Sequence, residues 1–167
     1  MIIERGILKA YDGDMKNVVI PEGVRVIAGD LEEGDRSKDL PGLKTDGVFY
    51  LPFNGCNSIE TVVMPDSVEE IGPKAFEHCK NLRSVTFSKN LKKVGLSAFL
   101  GCEKFTKISL PGSVKEIQQW AFDMIPIEDV FFDGTYEQWE KVSEAEEDSF
   151  DFVPHVVCSD CDFFITV

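Results

Sequence analysis

Val62-Val63-Met64-Pro65-Asp66-Ser67-Val68-Glu69-Glu70-Ile71-Gly72-Pro73-Lys74-Ala75-Phe76-Glu77-His78-Cys79 is the stretch on which the fold turns. Its closing motif, Ala75-Phe76-x-x-Cys79, returns as Ala98-Phe99-x-x-Cys102. Phe53, Phe76, Phe99 and Phe122 are spaced by 23 residues each time. Cys56, Cys79 and Cys102 keep the same step, with Ile125 in the next place. Val68, Leu91 and Val114 align, as do Ile71, Val94 and Ile117. Val62, Val85 and Ile108 continue to Val130 with one residue deleted, and Met64, Phe87 and Leu110 continue to Phe132.

A unit of this length cannot bury its own apolar face, so it must stack on its neighbours. Residues at one repeat position then form a column through the stack. Phe fills one interior column and the small, apolar Cys another. Within a unit, Leu82, Val85 and Phe87 give a short strand with one face inward. Ala98–Cys102 reads as a helical turn on the opposite side.

The pattern L-x-x-V-x-F-P-x-S-V-x-x-I-G-x-x-A-F-x-x-C resembles the BspA-type leucine-rich repeat of bacterial proteins. The resemblance covers roughly residues 18–132. It implies an α/β fold: a right-handed leucine-rich-repeat solenoid of parallel short strands and helical turns, capped at both ends. Ile7-Leu8-Lys9-Ala10-Tyr11 resembles the family's opening hairpin, and Gly134-Thr135-Tyr136-Glu137-Gln138-Trp139 a frequent closing motif. Some relatives are surface proteins that engage host or matrix proteins, and the resemblance extends that possibility to this chain.

Working outward, the first unit is split. Val18 to Val24 and Ile27 match the start of a unit, but its end at Phe53 arrives late. Pro21 to Pro65 is 44 residues against a period of 23, so 21 are inserted. The insert lies at about residues 29–51 and ends in the apolar cluster Val48-Phe49-Tyr50-Leu51. Such a cluster either folds back as an extra strand or helps to bind a partner. The expected division is a solenoid over residues 1–132 and an acidic cap, helix plus hairpin, over residues 133–167 of the same compact unit.

Solenoid ends must be covered. Residues 1–17 supply an N-terminal hairpin, with Asp12-Gly13 as its turn signal. Thr135-x-x-Gln138 matches a capping box, and Tyr136, Trp139 and Val142 follow at helical spacing. Val156–Cys158 and Phe163–Val167 read as two strands around a short turn.

The chain's net charge is −13. It is uneven: residues 1–28, 29–52, 53–132 and 133–167 carry 0, −3, −1 and −9. An acidic chain lacks the surplus of Lys and Arg that phosphate binding needs, so no nucleic-acid partner is expected. No apolar run approaches the roughly 20 residues of a membrane span, so no membrane insertion is expected. The amino terminus lacks a signal-peptide pattern, so the chain as given reads as cytoplasmic, and as cell-surface or secreted by resemblance. The five cysteines are read as reduced thiols.

Few residues suggest chemistry. His155, Cys158 and Cys161 could supply three zinc ligands, or the segment could simply be a hairpin whose turn holds Cys161. Glu144, Glu146, Glu147, Asp148 and Asp151 lack the spacing and glycine of a calcium loop. No nucleophile elbow, Walker-type loop or dinucleotide turn is present, so no catalytic residue and no cofactor is assigned.

The outward strand positions remain. One column runs Asn17, Thr61, Ser84, Lys107, Asp129, and the other Val19, Val63, Thr86, Ser109, Phe131. Thr61, Val63, Ser84, Thr86, Lys107, Ser109, Asp129 and Phe131 are the expected protein-binding face, although the same residues also merely suit a strand. The leading function is a non-catalytic protein-interaction module, adhesin-like, with a monomer as the default state. The alternatives are an intracellular structural or accessory repeat protein and a zinc-dependent enzyme at His155 and Cys158.

Overall fold

Thirteen short strands and one helix make up the residues described by a computed structural model, 1–29, 51–143 and 155–163. In chain order they are β1 (Ile2–Glu4), β2 (Ile7–Ala10), β3 (Asn17–Val19), β4 (Val26–Ile27), β5 (Thr61–Val63), β6 (Glu70–Ile71) and β7 (Ser84–Thr86). Then come β8 (Lys93–Val94), β9 (Lys107–Pro111), β10 (Glu116–Ile117), β11 (Asp129–Asp133), α1 (Tyr136–Ser143), β12 (Val156–Cys158) and β13 (Asp162–Phe163). The chain winds as a right-handed solenoid of short parallel strands.

Each full unit contributes to three sides. The longer strands form one side, divided into a sheet β3-β5-β7 and a sheet β13-β12-β11-β9. A second side is a continuous sheet ordered β1-β2-β4-β6-β8-β10, in which the repeats contribute the two-residue strands β4, β6, β8 and β10 and the terminal hairpin the longer β1 and β2. The sequence reading missed this second sheet because two residues are too few for a period of two to show.

The third side corrects the expected helical turn at Ala98–Cys102, for which the structure has a ladder of tight turns. Backbone N–H groups alternate there between two kinds of acceptor. Ala98, Leu100 and Cys102 donate back three residues, to Gly95, Ser97 and Phe99, at 3.1–3.2 Å. Ser97, Phe99 and Gly101 donate to Gln119, Ala121 and Asp123 of the next unit, at 2.8–3.1 Å. A helix would direct every N–H to i−4; here half of them stitch the stack instead.

This alternation demands left-handed backbone at fixed places. Lys74, Ser97 and Trp120 have φ of 57°, 52° and 57°, one per unit. Four residues further on stand Gly55, His78, Gly101 and Met124, with φ of 67°, 57°, 70° and 53°. Turns with positive φ at the third residue favour glycine, and only two of these four positions have it. A Cβ on Gly101 would also lie 2.5 Å from Nδ1 of His78. A second glycine column serves close approach: a Cβ on Gly72 would lie 2.7 Å from the Gly29 backbone nitrogen.

The core is the set of predicted columns. Phe53, Phe76, Phe99 and Phe122 are fully buried. Their rings stack at centroid distances of 5.0, 5.2 and 5.3 Å, tilted by only 4–5°. Phe53 is thus in register although the insert precedes it, and Tyr11 covers its open side at 5.4 Å. Cys79 and Cys102 are buried, and their thiols donate to the carbonyls of Phe53 and Phe76 at 3.1 and 3.2 Å. Burial pushes the Cys79 thiol up to about 12 and raises that of Cys102 as well. Cys56, expected in the same buried column, is only half-buried and lies 3.2 Å from the Ser58 hydroxyl.

Both ends are covered. At the N-terminus β1 and β2 form an antiparallel hairpin, and β2 pairs in parallel with β4. The hairpin turn is Arg5-Gly6, at φ 52° and 80°, where two successive positive values match a type I′ turn. Asp12-Gly13, the expected turn, lies beyond the hairpin, and the Asp12 carboxylate pairs with the amino terminus at 2.6 Å.

At the other end the capping box forms as read. Thr135 N–H donates to Gln138 Oε1 at 2.9 Å, and Gln138 N–H to Thr135 Oγ1 at 3.3 Å. Trp139 and Val142 are buried, and Trp139 meets Phe132 at 5.5 Å. Tyr136, expected on that same face, is exposed. Strand β12 lies where the sequence placed it, and the second strand is Asp162–Phe163. Most of the insert with Val48-Phe49-Tyr50, the acidic run Glu144 to Asp151, and residues 164–167 lie outside the described residues.

Two substitutions test this architecture. Phe99→Ala opens the middle of the stack and is expected to cost about 3–5 kcal/mol in chemical denaturation; an unchanged midpoint sinks the column account. Met124→Gly relieves a left-handed residue whose side chain is 63% exposed. It is expected to stabilise by about 0.5–1 kcal/mol, whereas Gly101→Ala destabilises.

Candidate functional site

Parity along the strands decides what faces outward. In β5, β7 and β9 the second residues, Val62, Val85 and Ile108, point inward, so their neighbours point out. The predicted columns are in register: Asn17 beside Thr61 beside Ser84, and Val19 beside Val63 beside Thr86. Across the next sheet Lys107 lies beside Asp129, and Ser109 beside Phe131. The eight expected face residues therefore share one outward surface, divided between two sheets at the β7–β9 boundary.

The apolar residues on this surface are unusually open. Val19, Val63 and Phe131 are 59%, 42% and 42% exposed. Two further residues belong to the surface and escaped the sequence reading. Strand β12 pairs in parallel with β11, with Val130 opposite Val156 and Phe132 opposite Cys158. It is a further rung, reached by a step of 26 residues, so His155 extends the first outward column and Val157 the second. The in-out-in pattern of Val156-Val157-Cys158 repeats that of Val130-Phe131-Phe132 and was the available signal.

His155, Asp129 and Lys107 form a charged row. Nδ1 of His155 lies 2.8 Å from one oxygen of the Asp129 carboxylate, and Nζ of Lys107 lies 3.0 Å from the other. With the carboxylate ionised, Nδ1 carries the hydrogen and donates it. The His155 hydrogen bond, and then that from Lys107, holds the Asp129 carboxyl below its ordinary value. Asp129 in turn raises Lys107.

The same parity overturns the zinc reading. His155 and Cys158 are three residues apart on one strand, so they point to opposite faces. Cys158 is buried in the interior column that holds Leu110 and Phe132, while His155 stands outside against Asp129. One ion cannot reach both. Among the described residues no group of three or more His, Cys, Asp or Glu could hold a metal. Nor is any described helix long and apolar enough to cross a membrane.

The other sides of the solenoid differ in chemistry. On the two-residue strands and at the residue before each, ion pairs run from rung to rung: Glu69 binds both Arg25 and Lys92, at 3.2 and 2.8 Å, and Lys93 binds Glu116 at 3.2 Å. Those pairs cover the repeats of that side with charge, and its open apolar residues, Ile2 and Ile3, lie in the terminal hairpin, whereas Val19, Val63 and Phe131 of the long-strand surface lie on the rungs themselves.

The geometry agrees with a known repeat. The BspA type leucine-rich repeat region, in six copies, matches residues 51–151. The chain belongs to that family. Solved structures share the fold. A leucine-rich cell surface protein from Faecalibacterium prausnitzii is 22% identical with a TM-score of 0.60, over 81% of this chain and 37% of its own. A leucine-rich repeat protein from Bacteroides capillosus is 27% identical with a TM-score of 0.57, over 77% and 86%. Another from Bacteroides ovatus is 20% identical with a TM-score of 0.59, over 96% and 35%. This chain thus spans little more than a third of the first of these proteins. A search of curated proteins found no match.

The charged row makes a pH prediction. A carboxyl whose folded value is depressed stabilises the fold above its ordinary value and loses that contribution as pH falls through the folded one. The Asp129 carboxyl is therefore expected to titrate below 3.8 by NMR, and to move up in both His155→Ala and Lys107→Ala. A midpoint unmoved in both variants refutes the row.

Proposed function

We propose that the chain is a non-catalytic protein-interaction module and that the outward surface of the long strands is its binding face. The observation that carries this reading is the contrast between sides. Rung-to-rung ion pairs cover the repeats of the two-residue-strand side, while Val19, Val63 and Phe131 stay exposed on the long-strand side. Burying such β-branched and aromatic residues on a partner removes apolar surface from water at about 25 cal/mol per Å². Thr61, Ser84, Thr86 and Ser109 add short hydroxyls that hydrogen-bond a partner at little entropic cost. Lys107 and Asp129 place opposite charges beside Phe131, a source of selectivity more than of affinity.

Family membership and the resemblance to a cell surface protein favour action at a bacterial surface.

The test compares captured proteins between the wild type and two face variants, Val63→Glu and Phe131→Glu, with Lys115→Glu, at an exposed position off this face, as control. Surface changes of this kind leave stability within about 0.5 kcal/mol. A partner retained by wild type and control, but lost by at least about tenfold in affinity with both face variants, supports the reading. Equal retention by all four proteins refutes it.

A further inference from the structure

Strand β12 brings Cys158 into the interior column, and β13 returns beside it after the two-residue turn Ser159-Asp160. The hairpin pairs Val156 with Phe163 and Val157 with Asp162. One step further, Cys158 N–H donates to the Cys161 carbonyl at 2.8 Å, so the two cysteines stand directly opposite. Opposite residues on paired strands project to the same face. Both do so here: Cys158 is buried, and Cys161 is half-buried against the same core. The Cα atoms of a hydrogen-bonded opposite pair lie about 5.5 Å apart, within the roughly 4.4–6.8 Å that a disulfide spans.

We propose that Cys158 and Cys161 form a reversible disulfide that staples the C-terminal cap when a low-molecular-weight disulfide is the oxidant.

The chemistry follows from their unequal exposure. Cys161, the accessible thiol, loses its proton to solvent and attacks one sulfur of the small disulfide. A mixed disulfide forms and one small thiol leaves. Cys158 then gives up its proton and attacks the Cys161 sulfur, and the second small thiol leaves. One dithiol and one disulfide thus become one protein disulfide and two thiols. Burial, with Cys161 and Asp160 nearby, pushes the Cys158 thiol up to about 11. The second step therefore quickens as pH rises towards that value.

The other cysteines are placed against this reaction. Cys79 and Cys102 are buried with their thiols directed at carbonyl oxygens, and Cys56 is turned to the Ser58 hydroxyl. Only the pair at the hairpin joins an accessible thiol to a partner directly across a turn.

The staple acts on the element that closes the solenoid. Ser159 donates to the Gly134 carbonyl through both its N–H and its hydroxyl, each at 2.9 Å. The Asp160 carboxylate accepts the Tyr136 N–H at 2.8 Å, at the start of α1. Fixing the turn therefore fixes the N-terminus of the helix whose Trp139 and Val142 cover the core.

The test incubates the protein in oxidised glutathione, quenches it in acid, unfolds it and alkylates free thiols before peptide mass spectrometry. The peptide carrying Cys158 and Cys161 is expected to lose two hydrogens and escape alkylation, while Cys79 and Cys102 are alkylated. The oxidised protein melts about 2–5 °C higher than the reduced one, and Cys161→Ser abolishes the difference. Cys158→Ser should instead accumulate the mixed disulfide at Cys161. Alkylation of both cysteines in the wild type, or a stable mixed disulfide there, overturns the proposal. An equal melting gain in Cys161→Ser overturns the staple.

Discussion

Everything in this molecule depends on one constraint: each residue lies next to its counterpart in the following unit, about 4.8 Å away. At that spacing the backbone of one turn hydrogen-bonds that of the next on all three sides. Side chains inherit the spacing and must tolerate a near-copy of themselves as neighbour. Flat rings do so best, and the four phenylalanines stack with planes within 5° of parallel. Cysteine tolerates it by being small and by directing its thiol at a carbonyl. Charges tolerate it best where they alternate, as Arg25-Glu69-Lys92 and Lys80-Glu103 do.

The constraint explains which parts of the fold were legible. Columns are visible in a sequence because stacking selects the same chemistry at every period. The turn ladder was misread because Ala-Phe-x-x-Cys repeats apolar residues at a spacing of three, as a helix does. What separates the two is the destination of alternate N–H groups, and no side chain in the motif reports it. Positive φ at Lys74, Ser97 and Trp120 was equally hidden, since none of them is glycine. The last rung escaped for a simpler reason. Its step of 26 breaks the period, although Val156-Val157-Cys158 keeps the alternation.

The candidate site shows the opposite balance. Its position was legible, because outward residues are those between inward ones, and the register puts Thr61 beside Ser84 as expected. Its occupant was not. Outward side chains are released from the stacking constraint on the solvent side, so Thr61, Ser84, Lys107 and Asp129 need share nothing. The contact between His155 and Asp129 was beyond reach without knowing that β12 is a rung. That one pairing converts a suspected metal ligand into a member of a surface ion row.

The two ends of the solenoid meet the constraint differently, and the difference matters for the face. At the N-terminus an antiparallel hairpin closes the two-residue-strand sheet, far from the long strands in the ladder order. At the C-terminus the closing hairpin is itself part of the long-strand sheet, since β12 pairs with β11. His155 and Val157 on the face and Cys158 in the core are thus consecutive or near-consecutive residues of one cap strand. Anything that tightens or loosens the turn at Ser159-Asp160 acts on a strand that has one side in the core and the other on the proposed binding surface. The cap is therefore a working part of the face, and it joins the stability of the last rung to the geometry of the row formed by Lys107, Asp129 and His155.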